Sequence, residues 1–254
     1  MPGRGLVLWL FADFAQGFGR GMRRAAFSLA GGTAVLTIGK LSASKGQLQY
    51  YERQVAAGME DYYAGRGEAR GVWRRAGAEV LGLPAGQTVD GGALMALARG
   101  VSPVDGSVLR VRGTSTVAAI DLTFSAPKSV SVLFAVADES VTAAVTDAHE
   151  RAVDAALAYL ERQACFTRRG HAGAERVAGG GFIAASYRHR LSRAGAPQLH
   201  THVVLGNLTR AEGRYTSLDA RALYEHKSAA GAVYRAALRA EVGERLPWVS
   251  GCRG

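Results

Sequence analysis

The stretch Tyr187–Asn207, YRHRLSRAGAPQLHTHVVLGN, places three of the chain's six histidines within 14 of its 254 positions. In an extended strand, side chains two apart share a face at about 6–7 Å between Cα atoms. His200 and His202 therefore project together, and the apolar continuation Val203-Val204-Leu205 puts them at the end of a strand buried in a core. Upstream, Gly181–His189 reads as a second strand ending on a third imidazole. The linker 190–198 carries Gly195 and Pro197, so the two strands are expected to pair as an antiparallel, hairpin-like unit that brings His189 alongside. Three neutral imidazoles can grip one divalent ion and leave coordination positions open for a substrate oxygen. An HxH pair alone also arises by chance on an exposed strand, and the third imidazole is what separates the two cases. His149, His171 and His226 have no such company and read as a surface helix residue, a loop residue and a helix residue.

Outward from this unit, the ordered domain is expected to begin at Val35, with VLTIGKL as an alternating, β-branched first strand. A helical pattern covers Ser42 to Ala57 until Gly58 interrupts it, and a Gly/Arg-rich connection runs from Gly65 to Gly71. Val72–Leu81 and Gly92–Arg99 read as short helices, the second opened by Asp90 as N-cap. Val117–Phe124 is a strand, and Lys128–Val136 is either a strand or a short buried helix. Glu139–Gln163 is the clearest amphipathic helix, a Gly/Arg-rich loop follows at Arg168–Gly173, and Asp219–Leu246 closes as an Ala-rich helix. Strands and helices alternate without strict βαβ order, which predicts an α+β fold with a largely antiparallel sheet.

The totals narrow the partners. Thirty-one Lys and Arg against 21 Asp and Glu give a net charge of +10, which favours a polyanion, either nucleic acid or an anionic membrane surface. Arg dominates the basic count, so a GC-rich coding sequence is the bland source of the same excess. Cys165 and Cys252 lie far apart without CxxC spacing, which excludes a disulfide framework and a cysteine zinc site. No apolar run approaches the ~20 residues of a membrane span. The run Leu6–Ala12 is cut by Asp13 and followed by Arg20, Arg23 and Arg24, so a cytoplasmic chain is expected.

A metal and basic charge suggest phosphoryl chemistry, and the doublets Tyr50-Tyr51 and Tyr62-Tyr63 offer nucleophiles. A phenol at its usual pKa of about 10 needs a base or a nearby cation to ionise. Most half-buried tyrosines only pack, but two doublets so close together are less easily explained that way. Asp121 sits mid-strand among Ile120, Leu122 and Phe124, where a lone buried carboxylate is expensive. Hydrogen-bonded to an imidazole, it would orient a metal ligand. Thr123 shares its face, and Ser125, Lys128 and Ser129 suit phosphate oxygens. Arg188 and Arg190 flank His189 on the opposite strand face and Arg193 lies in the linker; the three are candidates for DNA contact or for a solvated basic edge.

The pieces LTIGKL, QYYE, DYYA, DLTFSAPKSVSVLFA, RHRLSRAGAPQLHTHVVLGN and LDARALYEHKSAAGAVYRAALRAEV occur in this order from about Val35 to Leu246. Together they resemble the relaxase domain of MobF-class conjugative proteins, the TrwC/TraI type, within the HUH endonucleases. The middle residue of the HUH signature is Thr201 here, in place of a hydrophobe. The resemblance implies a palm-like, mostly antiparallel sheet with helices packed on it. It also implies site- and strand-specific nicking at a plasmid transfer origin through a 5′-phosphotyrosyl intermediate. Tyr50 matches the first nucleophile, Tyr62 the second, Asp121 the aspartate beside the site, and His189, His200 and His202 the metal triad. Tyr51 and Tyr63 are secondary candidates. The implied metal is Mg²⁺ or Mn²⁺. The implied partners are single-stranded and hairpin DNA at a transfer origin, with relaxosome accessory proteins.

Family chains usually start with methionine where Val35 stands, so residues 1–34 are expected to be a flexible extension from a misassigned start codon. Residues 35–254 are then a relaxase domain cut short at its C-terminal end, with no GxxxxGK[ST] phosphate loop and hence no helicase domain. Two rival readings are an inactive relaxase remnant that binds single-stranded or hairpin DNA, and a rolling-circle replication initiator. In many initiators the tyrosine follows the histidine pair, whereas the doublets here precede it.

Overall fold

The computed structural model describes residues 35–42, 70–110, 117–192 and 194–246. The predicted helix Ser42–Ala57 beyond Ser42, the four doublet tyrosines, Arg193 and the 1–34 segment lie outside these residues.

At the centre is the histidine strand. β1 (Leu36–Ser42), β2 (Val72–Arg74), β3 (Val117–Ser125), β6 (Ala184–Leu191) and β7 (Pro197–Gly206) form one sheet in the order β1-β3-β7-β6-β2, every neighbouring pair antiparallel. The α+β expectation holds, and β6 and β7 pair as the hairpin-like unit. Both strands run further into the linker than the Gly and Pro suggested, β6 to Leu191 and β7 from Pro197.

Because side chains alternate, the sheet has two distinct faces. One carries Leu36, Ile120, Leu122, Phe124, Leu199, Val203 and Leu205, which pack against three helices. These are α3 (Lys128–Val136), α4 (Glu139–Ala164) and α5 (Ala220–Arg245). The 26-residue α4 starts at Asp138, whose side chain accepts from the Val141 amide at 3.0 Å, and Asp219 caps α5 in the same manner. Each cap satisfies one of the orphan N–H groups of the first turn. Inside α5, a Cβ on Gly231 would stand 3.2 Å from a methyl of Val35, so the small residue lets the helix lie close on the edge strand.

The other face carries Ala119, Ala185, Tyr187 and Val204. It is covered at one end by the segment holding α1 (Ala76–Val80) and α2 (Ala93–Ala98), through Trp73, Leu83, Val89, Leu94 and Leu97. Two sequence expectations are corrected here. The predicted helix Val72–Leu81 is a strand and then a shorter helix: Val72-Trp73-Arg74 pair with Ser186-Ala185-Ala184, and Arg75, at φ 80°, breaks the backbone between them. Burying Trp73 against the sheet outweighs the local helical pattern. Nor does Asp90 cap the second helix, which starts after Gly92 at φ 86° with no side-chain cap. Lys128–Val136 is helical. Two hairpins, β4 (Phe166–Arg169) with β5 (Glu175–Ala178) and β8 (Thr209–Ala211) with β9 (Arg214–Thr216), complete the described elements.

Candidate metal centre

Strand register assembles the site. On the face away from α3–α5, Ser125, His200 and His189 stand directly opposite one another across β3, β7 and β6. One step along, Thr123, His202 and Tyr187 form the next row. Asp121, one further step along β3, is diagonal to His202. The sequence-predicted histidines, Asp121 and Ser125 thus share one face.

The three imidazoles are mutual neighbours: ring centroids stand 5.1 Å apart for His189–His200 and 5.2 Å for each of the pairs with His202. Rings that share one ion at about 2.1 Å per nitrogen have centroids about 5 Å apart, so the spacing suits a common cation. Hydrogen bonds decide which nitrogen carries the lone pair. His200 Nδ1 lies 2.8 Å from the Gln198 carbonyl oxygen, which can only accept, so Nδ1 holds the proton and Nε2 the lone pair. His202 Nδ1 lies 2.9 and 3.0 Å from the two Asp121 carboxylate oxygens, with the same consequence. An imidazole donating to a carboxylate is the arrangement that fixes ring and tautomer behind a metal ion. Thr123 Oγ1 adds a contact at 3.1 Å to the same Nδ1. His189 is buried, while His200, His202 and Asp121 are partly exposed. The donor types, the tautomers of His200 and His202 and the ring spacing are those a divalent ion needs, although among the described residues no group of three His, Cys, Asp or Glu side chains already converges on one cation position.

Tyr187 stands beside His202 on this face and was not singled out from the sequence, although it lies two residues from His189 and alternation would have found it. Its ring lies over the backbone of Gly71, where a Cβ would come within 2.3 Å of Tyr187 Cε1. Any side chain at position 71 would therefore have to displace the ring next to His202.

The basic candidates are elsewhere. Arg188 turns to the helix face and pairs with Glu150 on α4, which also binds Arg74 at 2.9 Å. Arg74 in turn holds both oxygens of Asp154 at 2.8 Å and Ser186 Oγ at 2.7 Å. Arg188 thus lies on the helix face, away from the histidines, with its charge matched by a carboxylate. The Arg190 guanidinium lies 5.2 Å over the Phe134 ring of α3, also on the face opposite the histidines. Lys128 is exposed and donates to the Pro197 carbonyl at 2.8 Å, tying the start of α3 to the start of β7. Tyr50, Tyr51, Tyr62, Tyr63 and Arg193 fall outside the described residues.

His149 is a further correction. The sequence reads it as a surface residue of the helix, but it is fully buried between Thr201 and Tyr234, with an Nε2–Oγ1 separation of 2.8 Å and an Nδ1–OH separation of 2.8 Å. Burial, with the nearby charges of Arg188, His200 and Arg74, holds its pKa down at about 3, so it is neutral. Burial likewise raises the Tyr234 phenol above its ordinary value. His171 lies in a 3₁₀ turn, His171–Gly173, and His226 on α5 meets the Tyr159 hydroxyl at 2.9 Å.

Residues 44–248 match the family model described as TrwC relaxase. The multifunctional conjugation protein TraI of Escherichia coli (strain K12) is 32% identical over 194 residues, 72% of this chain and 11% of TraI. The chain therefore spans about a ninth of that relative's length. A copper-bound structure of the conjugative relaxase TrwC in complex with oriT DNA is 33% identical with a TM-score of 0.68, covering 82% of this chain and 70% of that one. A metal-bound TrwC–oriT complex is 31% identical at TM-score 0.67, with the same coverage. A third, with a 27-mer comprising the recognition hairpin and the cleavage site, is 29% identical at TM-score 0.65, covering 82% and 69%.

Proposed function

The chain belongs to the TrwC relaxase family, and on that premise we propose that it nicks one DNA strand at a transfer origin and transfers it through a covalent 5′-phosphotyrosyl intermediate. The observation that carries this reading is the grouping of His189, His200 and His202 on one sheet face with Asp121 hydrogen-bonded behind His202. The solved TrwC relatives, bound to oriT DNA and to metal, support both the substrate class and the cation.

In this reading the nucleophile is Tyr50. Its phenolate oxygen forms a bond to the scissile phosphorus, the bond to the 3′ oxygen breaks, and the departing oxygen takes up a proton. One phosphodiester replaces another, so the bond energy is kept for rejoining. Tyr62 performs the second transfer that ends the process. His189, His200 and His202 hold the ion, Mg²⁺ or Mn²⁺, through lone pairs that two of them direct by donating from Nδ1. When bound, the ion draws charge from the non-bridging phosphate oxygens and favours an ionised phenol close by. Asp121 keeps the His202 proton on Nδ1, and its negative charge strengthens Nε2 as a donor to a cation. Ser125, in the His200 row, offers a hydroxyl to a phosphate oxygen, with Lys128 beyond it; Arg193 in the linker and Arg190 are further candidates for backbone contact.

The partners in this reading are single-stranded DNA and a hairpin at the transfer origin, with relaxosome accessory proteins, and the compartment is the cytoplasm. Among the described residues no helix is long and apolar enough to cross a membrane. Residues 35–254 fall within the relaxase domain in this reading. Mass spectrometry after incubation with its origin oligonucleotide and Mg²⁺ tests the reading: the expected result is a nucleotide adduct on the Tyr50 peptide, absent from Y50F. A chain that retards the oligonucleotide in a gel yet forms no adduct is the remnant, and the nicking proposal is then wrong.

A further inference from the structure

Between the two histidines of β7 stands a residue that faces the other way. Thr201 points into the helix-covered core and is 3% exposed. A hydrophobe would be the cheap choice there, because a hydroxyl buried without a partner loses its hydration with nothing in return. The hydroxyl meets His149 Nε2 at 2.8 Å, and the other nitrogen of that imidazole meets the Tyr234 hydroxyl at 2.8 Å. One hydrogen-bonded chain, Thr201–His149–Tyr234, thus runs from β7 through α4 to α5 with all three members buried. The His149 and Tyr234 rings also pack edge-on, at 84° and 5.7 Å between centroids, and Tyr234 leans on Phe124 of β3 at 5.6 Å.

Such a chain carries no net charge. Its distinct effect is positional, because hydrogen bonds hold donor and acceptor to a narrow range of distance and angle, whereas apolar contacts tolerate sliding. Thr201 is bonded to both its neighbours by single peptide units, so fixing its hydroxyl against α4 fixes the height and tilt of His200 and His202 on the opposite face. Functional constellations must be held within about 0.5 Å, and partners behind the ligands supply that restraint.

We propose that His149 is a positioning residue for the metal centre, setting the two β7 imidazoles from behind the sheet through its hydrogen bond to the Thr201 hydroxyl. The inference rests on the reading of His189, His200 and His202 as metal ligands.

Two substitutions at one position separate positioning from packing. In H149Q the side-chain amide reaches the Nε2 position and keeps a partner for Thr201. In H149N it reaches only the Nδ1 position and keeps the Tyr234 contact instead. T201V removes the hydroxyl with no change of shape. Mn²⁺ affinity of the full chain is measured by calorimetry, with thermal unfolding of the metal-free chain alongside. H149N and T201V are expected to weaken Mn²⁺ binding about tenfold to a hundredfold, and H149Q to stay within about threefold of the parent chain. A role in packing alone would lower the unfolding temperature of H149Q and H149N together and leave their Mn²⁺ affinities alike. Equal affinities for those two variants, or parent-like affinity in T201V, overturns the proposal. A parent chain that binds no Mn²⁺ overturns instead the metal reading on which it stands.

Discussion

Replacing Asp121 is the sharpest probe of the metal centre, because its carboxylate makes two contacts to one nitrogen, at 2.9 and 3.0 Å, and those contacts decide where the His202 proton sits. A hydrogen bond to an ionised partner contributes about 1.5–3 kcal/mol, against about 0.5–1.5 for a neutral pair. D121N can still accept from Nδ1 through its amide oxygen, so it forfeits only the difference, about 1–1.5 kcal/mol, or roughly tenfold in metal affinity. D121A removes the acceptor, frees the ring to rotate or change tautomer, and is expected to weaken Mn²⁺ binding about a hundredfold, the upper end for an outer-shell partner. The pair is partly exposed, which shields the charge and makes these figures upper values. Calorimetric titration of Mn²⁺ into each variant, with unfolding temperatures measured on the metal-free chains, separates a damaged site from a damaged fold. If D121A binds Mn²⁺ as tightly as the parent chain while remaining folded, Asp121 does not orient a ligand and the carboxylate–imidazole argument is wrong.

Three further outcomes are expected. Y62F should still form the first Tyr50 adduct but fail to transfer the bound strand to a second origin oligonucleotide; unimpaired transfer, followed on a labelled-DNA gel, would remove Tyr62 from the mechanism. His149 is neutral when folded with its pKa depressed to about 3, against 6.5 in the unfolded chain. The unfolded state therefore binds the extra proton between those values, so the stability from neutral His149 is complete above pH 6.5. It is lost by about 1.4 kcal/mol per pH unit as pH falls towards 3. Urea midpoints from pH 7 to pH 4 should drop more steeply for the parent chain than for H149Q, and parallel curves would contradict this. G71A puts a methyl group 2.3 Å from the Tyr187 ring, a clash expected to lower stability by about 1–3 kcal/mol and to weaken Mn²⁺ binding beside His202; an unchanged melting temperature would show that the ring has room to move.

Alternation is a property of the chain itself, so the sequence alone determined that His200 and His202 share a face, that Arg188 and Arg190 turn away from His189, and that Asp121 and Thr123 look the same way. It also carried the α+β class, the two long helices near their observed limits, and the ordered motifs of the relaxase resemblance. The partners across space were decided only by tertiary structure. Strand register, set by burial on both faces of the sheet, brought His189 opposite His200 and Asp121 diagonal to His202, where no local pattern could specify the offset. Trp73 became part of a strand because β6 offered it a buried edge, against a helical local pattern. His149 looked like a surface residue because of its polar type, although its place four residues from both Val145 and Val153 lies on the buried stripe of α4. It is buried because a hydroxyl from β7 and a phenol from α5, 52 and 85 residues away in sequence, meet it in the core.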